Sequence, residues 1–171
     1  MDKDIKEVLL TEEQIQQRIR ELGEELTRDY EGKFPVVVGV LKGVVVFYSD
    51  MVRQIKTHCQ MDFMTIASYR GVNSTGKLEV KSHVSADLTG RDVLVLEDIY
   101  DTGNSLTFTV DYLYSKGAAS VKICTLLDKP SRREVDFVPD YCGMQIPDKF
   151  VVGFGLDYDE KYRNLKYIGV L

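Results

Sequence analysis

Apolar residues follow three different rhythms along this chain. Ile15, Ile19, Leu22 and Leu26 recur at 4-3-4 spacing behind Thr11 and Gln14. Thr and Gln at that separation resemble a capping box, so the pattern predicts an amphipathic helix over roughly residues 12–29, ending near Gly32. Pro35 then opens VVVGVL, a continuous apolar run of the kind carried by a strand buried on both faces. After Lys42-Gly43 comes VVVFYSDMVRQI, long enough to be the helix that follows. Residues 61–68 and 78–84 read as half-exposed strands, LEVKSHV alternating apolar with polar positions. Between them RGVNSTGK is polar, carries two glycines and predicts a long flexible hairpin loop.

Gly90 marks a turn before DVLVLED, a second buried strand. A helix is expected from about Ser105, with Leu106, Val110 and Leu113 on one face and Gly117 past its end. SVKICTLLD reads as a third core strand, FVVGF as a fourth, and YIGVL as a last short strand. Strands alternating with helices imply an α/β fold, with a mainly parallel central sheet flanked by helices. No repeat, low-complexity segment or linker is apparent, so residues 1–171 read as one domain.

Composition narrows the class. With 44% hydrophobic and 29% charged residues, the chain reads as an ordinary soluble globular protein. A net charge of −5 without any Lys/Arg-rich block argues against nucleic acid as a partner. Cys59, Cys124 and Cys142 are odd in number and widely spaced, which suits reduced thiols. His58 and His83 have no companion at zinc-ligand spacing. MDKDIKEVLL lacks the apolar core of a signal peptide, and no run approaches a membrane span, so a cytoplasmic location is expected.

The chemistry concentrates in VLVLEDIYDTGNSL. A buried strand delivers Glu97 and Asp98 at its carboxyl end, the edge where open α/β sheets bind ligands. Asp101-Thr102-Gly103-Asn104-Ser105 then turns into a helix and offers backbone N–H groups to a phosphate. It is not a Walker A loop, because G-x-x-x-x-G-K is absent. Paired carboxylates beside a phosphate nest suit a ligand that also carries hydroxyls and magnesium, as a sugar phosphate does. The bland alternative makes Glu97-Asp98 a solvated strand end and Asp101 a helix cap.

VLVLEDIYDTG resembles the phosphoribosyl pyrophosphate motif of type I phosphoribosyltransferases. VGVLKGVVVF, MDFMTIASY, LLDKPSRR, IPDKFVVGFGLDYDEKYRNL and YIGVL resemble the hypoxanthine-guanine branch. The resemblance implies that family's fold, with a small hood and a flexible hairpin loop. It implies transfer of phosphoribosyl to N9 of hypoxanthine or guanine, giving the nucleoside monophosphate and pyrophosphate. By similarity, Glu97 and Asp98 hold the ribose hydroxyls directly or through water on Mg2+, with Asp157 a further metal ligand. Thr102, Gly103, Asn104 and Ser105 wrap the 5′-phosphate. Leu41, Lys42 and Gly43 form the pyrophosphate loop, where a cis peptide is common, and Arg163 meets the same group. Asp101 lies beside purine N7 as the proton carrier. Lys129 donates to the 6-oxo group, Phe150 stacks on the base, and the Val151 backbone bonds its edge. Ser68 and Tyr69 stand at the base of a lid over residues 69–77. A homodimer or homotetramer is implied.

Taken alone, Phe150 would read as core, and Asp157 and Arg163 as surface charge. Two positions depart from the family pattern: Tyr100, often aliphatic, and Asn104, lysine in some relatives. Two other classes stay open on the sequence: a phosphoribosyl pyrophosphate-sensing nucleic-acid regulator on the same fold, and a magnesium-dependent receiver domain.

Overall fold

The long apolar runs pair with one another, and helices cover both faces of the sheet they make. The computed structural model describes residues 2–68 and 76–171. In chain order its elements are β1 (Glu7–Leu10), α1 (Glu12–Asp29), β2 (Val36–Leu41), α2 (Val45–Gln54), β3 (Gln60–Ser68) and β4 (Leu78–Ser82). There follow β5 (Asp92–Tyr100), α3 (Asn104–Ser115), β6 (Ser120–Asp128), β7 (Tyr141–Gln145), β8 (Val151–Val152) and β9 (Ile168–Val170). A 3-10 turn, Pro130–Arg132, links β6 to the chain beyond it.

The main sheet has six strands in the order β4-β3-β2-β5-β6-β7. All are parallel except β4, which runs antiparallel to β3 at one edge. Successive strand side chains point to opposite faces, so a run that is apolar throughout serves two cores. Val37, Leu94 and Leu96 pack with Ile15 and Leu22 of α1 and Phe47 and Met51 of α2. Val36, Val38, Val93 and Val95 pack with Leu106 and Leu113 of α3. Each such side chain, fully buried, is worth about 1.5–3 kcal/mol. The α1 cap is as predicted: Thr11 Oγ1 accepts from Gln14 N–H, and Gln14 Oε1 accepts from Thr11 N–H at 2.9 Å.

One expectation needs correction, and two strands were not expected. FVVGF does not supply a further strand of the main sheet. Val151–Val152 pairs with β9, which also pairs with β1, in a separate three-stranded antiparallel sheet, β1-β9-β8. The outer parallel strand beyond β6 is instead Tyr141–Gln145, whose YCGMQ has no apolar run to announce it. The strand Glu7–Leu10 likewise went unforeseen, since EVLL gains its ladder only from β9 at the far end of the chain. This small sheet is the hood that the resemblance implied.

Candidate active site

Parallel strands end on the same edge, and three neighbours, β2, β5 and β6, release their chains there at Leu41, Tyr100 and Asp128. Tyr100 is in register with Asp128, so Asp101 and Lys129 leave the sheet side by side. After β2 the chain turns through Lys42 and Gly43, and the Leu41–Lys42 peptide is cis. Gly43 accepts no side chain: a Cβ there would sit 2.0 Å from Asp98 Oδ2. The backbone of this turn and the β5 carboxylate are thus pressed together.

The turn after β5 is held from below. Gly103, with φ +93°, is the N-cap of α3 and offers no side-chain cap. The N–H groups of the first helical turn therefore face outward with few partners, the arrangement that binds anions. A Cβ on Gly103 would meet Val135 Cγ2 at 2.4 Å and the Tyr100 ring at 2.9 Å. Lys129 N–H donates to Tyr100 O and Glu134 N–H to Thr102 O, both at 2.9 Å. Asn104 Nδ2 donates to Glu134 Oε2 at 2.7 Å, so this side chain is engaged with the neighbouring segment. Tyr100 is buried, donates to Phe137 O at 2.6 Å and lies under the Arg133 guanidinium, 3.4 Å from ring centroid to Cζ. Arg133 in turn pairs with the buried Asp128.

A pocket of about 440 Å³ opens beside this turn, lined by Asp98, Asp101, Lys129, Phe150, Val151, Asp157 and Arg163 among others. Lys129 is only 7% exposed, and no described residue accepts a hydrogen bond from its ammonium. Phe150 is 55% exposed, with Tyr158 edge-on to it at 5.6 Å. Arg163 Nη1 donates to Gly155 O at 2.8 Å, and Nη2 stands 3.1 Å from Asp157 Oδ1. Its buried Nε has no partner among the described residues. Lys42 Nζ lies 3.3 Å from Glu160, which also approaches Arg163 Nη2 at 3.5 Å. A larger groove, about 520 Å³, lies between α1 and residues 54–57. Its charged side chains are of both signs, and it carries none of these convergent groups.

Burial pushes the Glu97 carboxyl well above the usual carboxylate range, and the adjacent Asp98 charge pushes it further. Burial also raises Asp98, opposed by hydrogen bonds to Glu97 and its own backbone neighbourhood and by the Arg163 charge. A crowded, partly desolvated carboxylate pair is relieved by a cation. Asp98 and Asp157 offer hard oxygen donors to the same pocket, the ligand chemistry that suits Mg2+. Among the described residues no three His, Cys, Asp or Glu side chains converge as a cage. Mg2+ sites of one or two carboxylates completed by water and substrate phosphates need none.

The fold therefore brings Asp98, Asp101, Lys129, Phe150, Val151, Asp157 and Arg163 to one pocket, with residues 41–43 and 102–105 on the adjoining turns. Glu97 is not among the pocket's lining residues. Ser68 ends β3, opposite Leu78 of β4; Tyr69 and the rest of the expected lid up to residue 75 lie outside the described residues. Ile99, Arg132, Asp148 and Leu156 also line the pocket and were not singled out from the sequence. Arg132 and Asp148 lie within the quoted LLDKPSRR and IPDKF stretches, but nothing in those stretches separates them from ordinary surface charges.

Comparison with known proteins identifies the family. The phosphoribosyl transferase domain model matches residues 7–159. The hypoxanthine-guanine phosphoribosyltransferase of Streptococcus thermophilus is 49% identical, over 100% of this chain and 96% of that protein. The bifunctional protein TilS/HprT of Listeria monocytogenes is 50% identical over the whole chain, which spans 26% of its length. A crystal structure of a hypoxanthine phosphoribosyltransferase from Staphylococcus aureus superposes with a TM-score of 0.95 at 50% identity, covering 100% of this chain and 94% of that one. With a family match over most of its length and full-length relatives near half identity, the chain belongs to the phosphoribosyl transferase family and, within it, to the hypoxanthine-guanine phosphoribosyltransferases.

Proposed function

We propose that the chain transfers the phosphoribosyl group of phosphoribosyl pyrophosphate to N9 of hypoxanthine or guanine, in purine salvage. The observation that carries this reading is Lys129: a largely buried lysine whose ammonium lines the pocket without an acceptor among the described residues, beside an exposed aromatic ring. An ammonium only donates, so it calls for an acceptor such as the 6-oxo group. Phe150 offers a face for stacking, and the Val151 backbone the base edge.

In the reaction, the N9–C1′ bond forms as the bond from C1′ to the pyrophosphate oxygen breaks. Asp101, at the mouth of the phosphate turn, takes the proton that the base surrenders, from N7. Thr102, Gly103, Asn104 and Ser105 hold the 5′-phosphate through the uncapped α3 N-terminus. Leu41, Lys42, Gly43 and Arg163 receive the departing pyrophosphate, whose growing charge they neutralise. Glu97 and Asp98 take the ribose hydroxyls. Asp98 and Asp157, with Glu97 behind them, are the residues that would hold Mg2+, which supplies charge neutralisation at the pyrophosphate. Water must be kept from the oxocarbenium-like ribose, the task assigned to the segment beyond Ser68. On this reading residues 1–171 act as one catalytic domain, in the cytoplasm, as a homodimer or homotetramer.

Incubation with phosphoribosyl pyrophosphate, Mg2+ and hypoxanthine or guanine tests the reading. It expects nucleoside monophosphate and pyrophosphate in equal amounts. Absence of product with either base, alongside a gel shift on nucleic acid, would point to the regulator instead.

A further inference from the structure

Arg132 ends the 3-10 turn that follows Lys129, and its Nε donates to Asp101 Oδ1 at 2.9 Å. Its Nη1 stands 3.9 Å from Asp148 Oδ1, and all three side chains line the pocket that holds Lys129. No other described residue donates to the Asp101 carboxylate, so Oδ2 keeps its lone pairs. The guanidinium is aimed by its neighbours. Arg132 N–H donates to Lys129 O at 3.1 Å, and Glu134 N–H ties the following residues to Thr102 O at 2.9 Å. Between them Arg133 is locked over the Tyr100 ring and donates to Phe137 O at 2.9 Å. The segment bearing Arg132 and the turn bearing Asp101 are therefore one rigid unit, joined by backbone as well as side-chain bonds.

We propose that Arg132 is the positioning residue for Asp101: it holds Oδ1 and turns Oδ2 toward the proton that the base must lose. This rests on the reading of Asp101 as the proton carrier. A guanidinium N–H in a fixed plane defines the carboxylate's orientation in a way a flexible ammonium does not. The side chains of Arg132 and Asp101 are 46% and 41% exposed. Such a pair adds little to stability, so its removal leaves the fold intact. Misplacement of a catalytic group by about 1 Å costs on the order of 100-fold in rate.

A double-mutant cycle on the full chain tests this, with kcat, both KM values and thermal melting measured for Arg132→Gln, Arg132→Lys, Asp101→Asn and Asp101→Asn/Arg132→Gln. Arg132→Gln is expected to lower kcat about tenfold or more, with KM for phosphoribosyl pyrophosphate within about twofold and the melting temperature unchanged. Arg132→Lys should recover part of the loss. On the Asp101→Asn background the Gln substitution should cost less than about twofold, because no carboxylate remains to be oriented. An equal loss on both backgrounds would show Arg132 acting independently of Asp101 and overturn the proposal. So would near-normal kcat in Arg132→Gln, or an effect confined to KM for the base. If Asp101→Asn itself turned over normally, the proton-carrier reading would fail first, and this proposal with it.

Discussion

Two loops bring charge to the pocket, and they differ in what their backbone bonds tie them to. The turn after β5 is anchored by backbone hydrogen bonds from Lys129 and Glu134 and by the buried Arg133–Asp128 pair. The backbone of the loop from Asp157 to Arg163 closes on itself and its stem, Tyr158 N–H donating to Lys161 O at 3.2 Å and Gly155 N–H to Arg163 O at 2.9 Å. The loop's charges sit in ion pairs whose members include the exposed Lys42 and Glu160. It also carries positive φ at Asp159, Glu160 and Tyr162, a region L-residues enter only when their surroundings compel it. The first loop is built to present a fixed geometry. The second has its cations neutralised by its own acids, an arrangement that incoming phosphates can exchange. On the proposed reading, pre-organisation is spent where the proton would move and phosphate be cradled, and adjustability is kept where pyrophosphate would arrive and leave.

The sharpest break between the two would come from the rigid loop. Asp101→Asn removes the proposed proton acceptor while leaving the turn of residues 102–105 intact. Steady-state rates should fall about 10²–10⁴-fold, with little change in phosphoribosyl pyrophosphate binding by calorimetry. Near-normal turnover would remove Asp101 from its role.

Arg133→Met strikes the anchor itself. It leaves Asp128 buried without its partner, and breaking such a pair costs about 3–5 kcal/mol. Denaturant unfolding should show that loss, and Asp128→Asn in the same chain should return part of it. A change under about 1 kcal/mol would mean that the segment is held by its backbone bonds alone.

How much of this was legible in the sequence follows the same division. Continuous runs such as VVVGVL and VLVLED name buried parallel strands because both faces must be apolar, and the carboxyl-end acids follow from strand to turn. Thr11 and Gln14 likewise mark their helix locally. The hood was misread because Val151 and Val152 look like any core strand. Their partners, residues 168–170, lie at the far end of the chain, and pairing leaves no local signature. Tyr141–Gln145 was missed for the converse reason, its YCGMQ having no periodicity. Arg132 shows the limit at the site: its meaning lies in a 2.9 Å contact with a residue 31 positions away. Tyr100, flagged only as a departure, proves to be the platform under Arg133.

The mobile-charge side of the comparison predicts a smaller effect. Glu160→Gln frees Lys42 and Arg163 from a competing carboxylate, and pyrophosphate should then inhibit about two- to fivefold more tightly at low salt, as suits exposed pairs. The gain should shrink as ionic strength rises. Weaker inhibition by pyrophosphate would mean that Glu160 supports the site rather than occupying it.

The central claim is that the Lys129 ammonium, lining the pocket without an acceptor among the described residues, selects a 6-oxopurine. Initial rates with hypoxanthine, guanine, xanthine and adenine at saturating phosphoribosyl pyrophosphate, for the unaltered protein and for Lys129→Gln, test it most directly. Adenine presents an amino group where the others present an acceptor, setting donor against donor. A site committed to one hydrogen-bond pattern rejects such an analogue by about 10⁴–10⁵. The account predicts turnover of hypoxanthine or guanine with adenine inert, and a Gln variant that loses hypoxanthine activity and narrows the gap. Efficient adenine turnover by the unaltered protein, or an unchanged preference in Lys129→Gln, would contradict it.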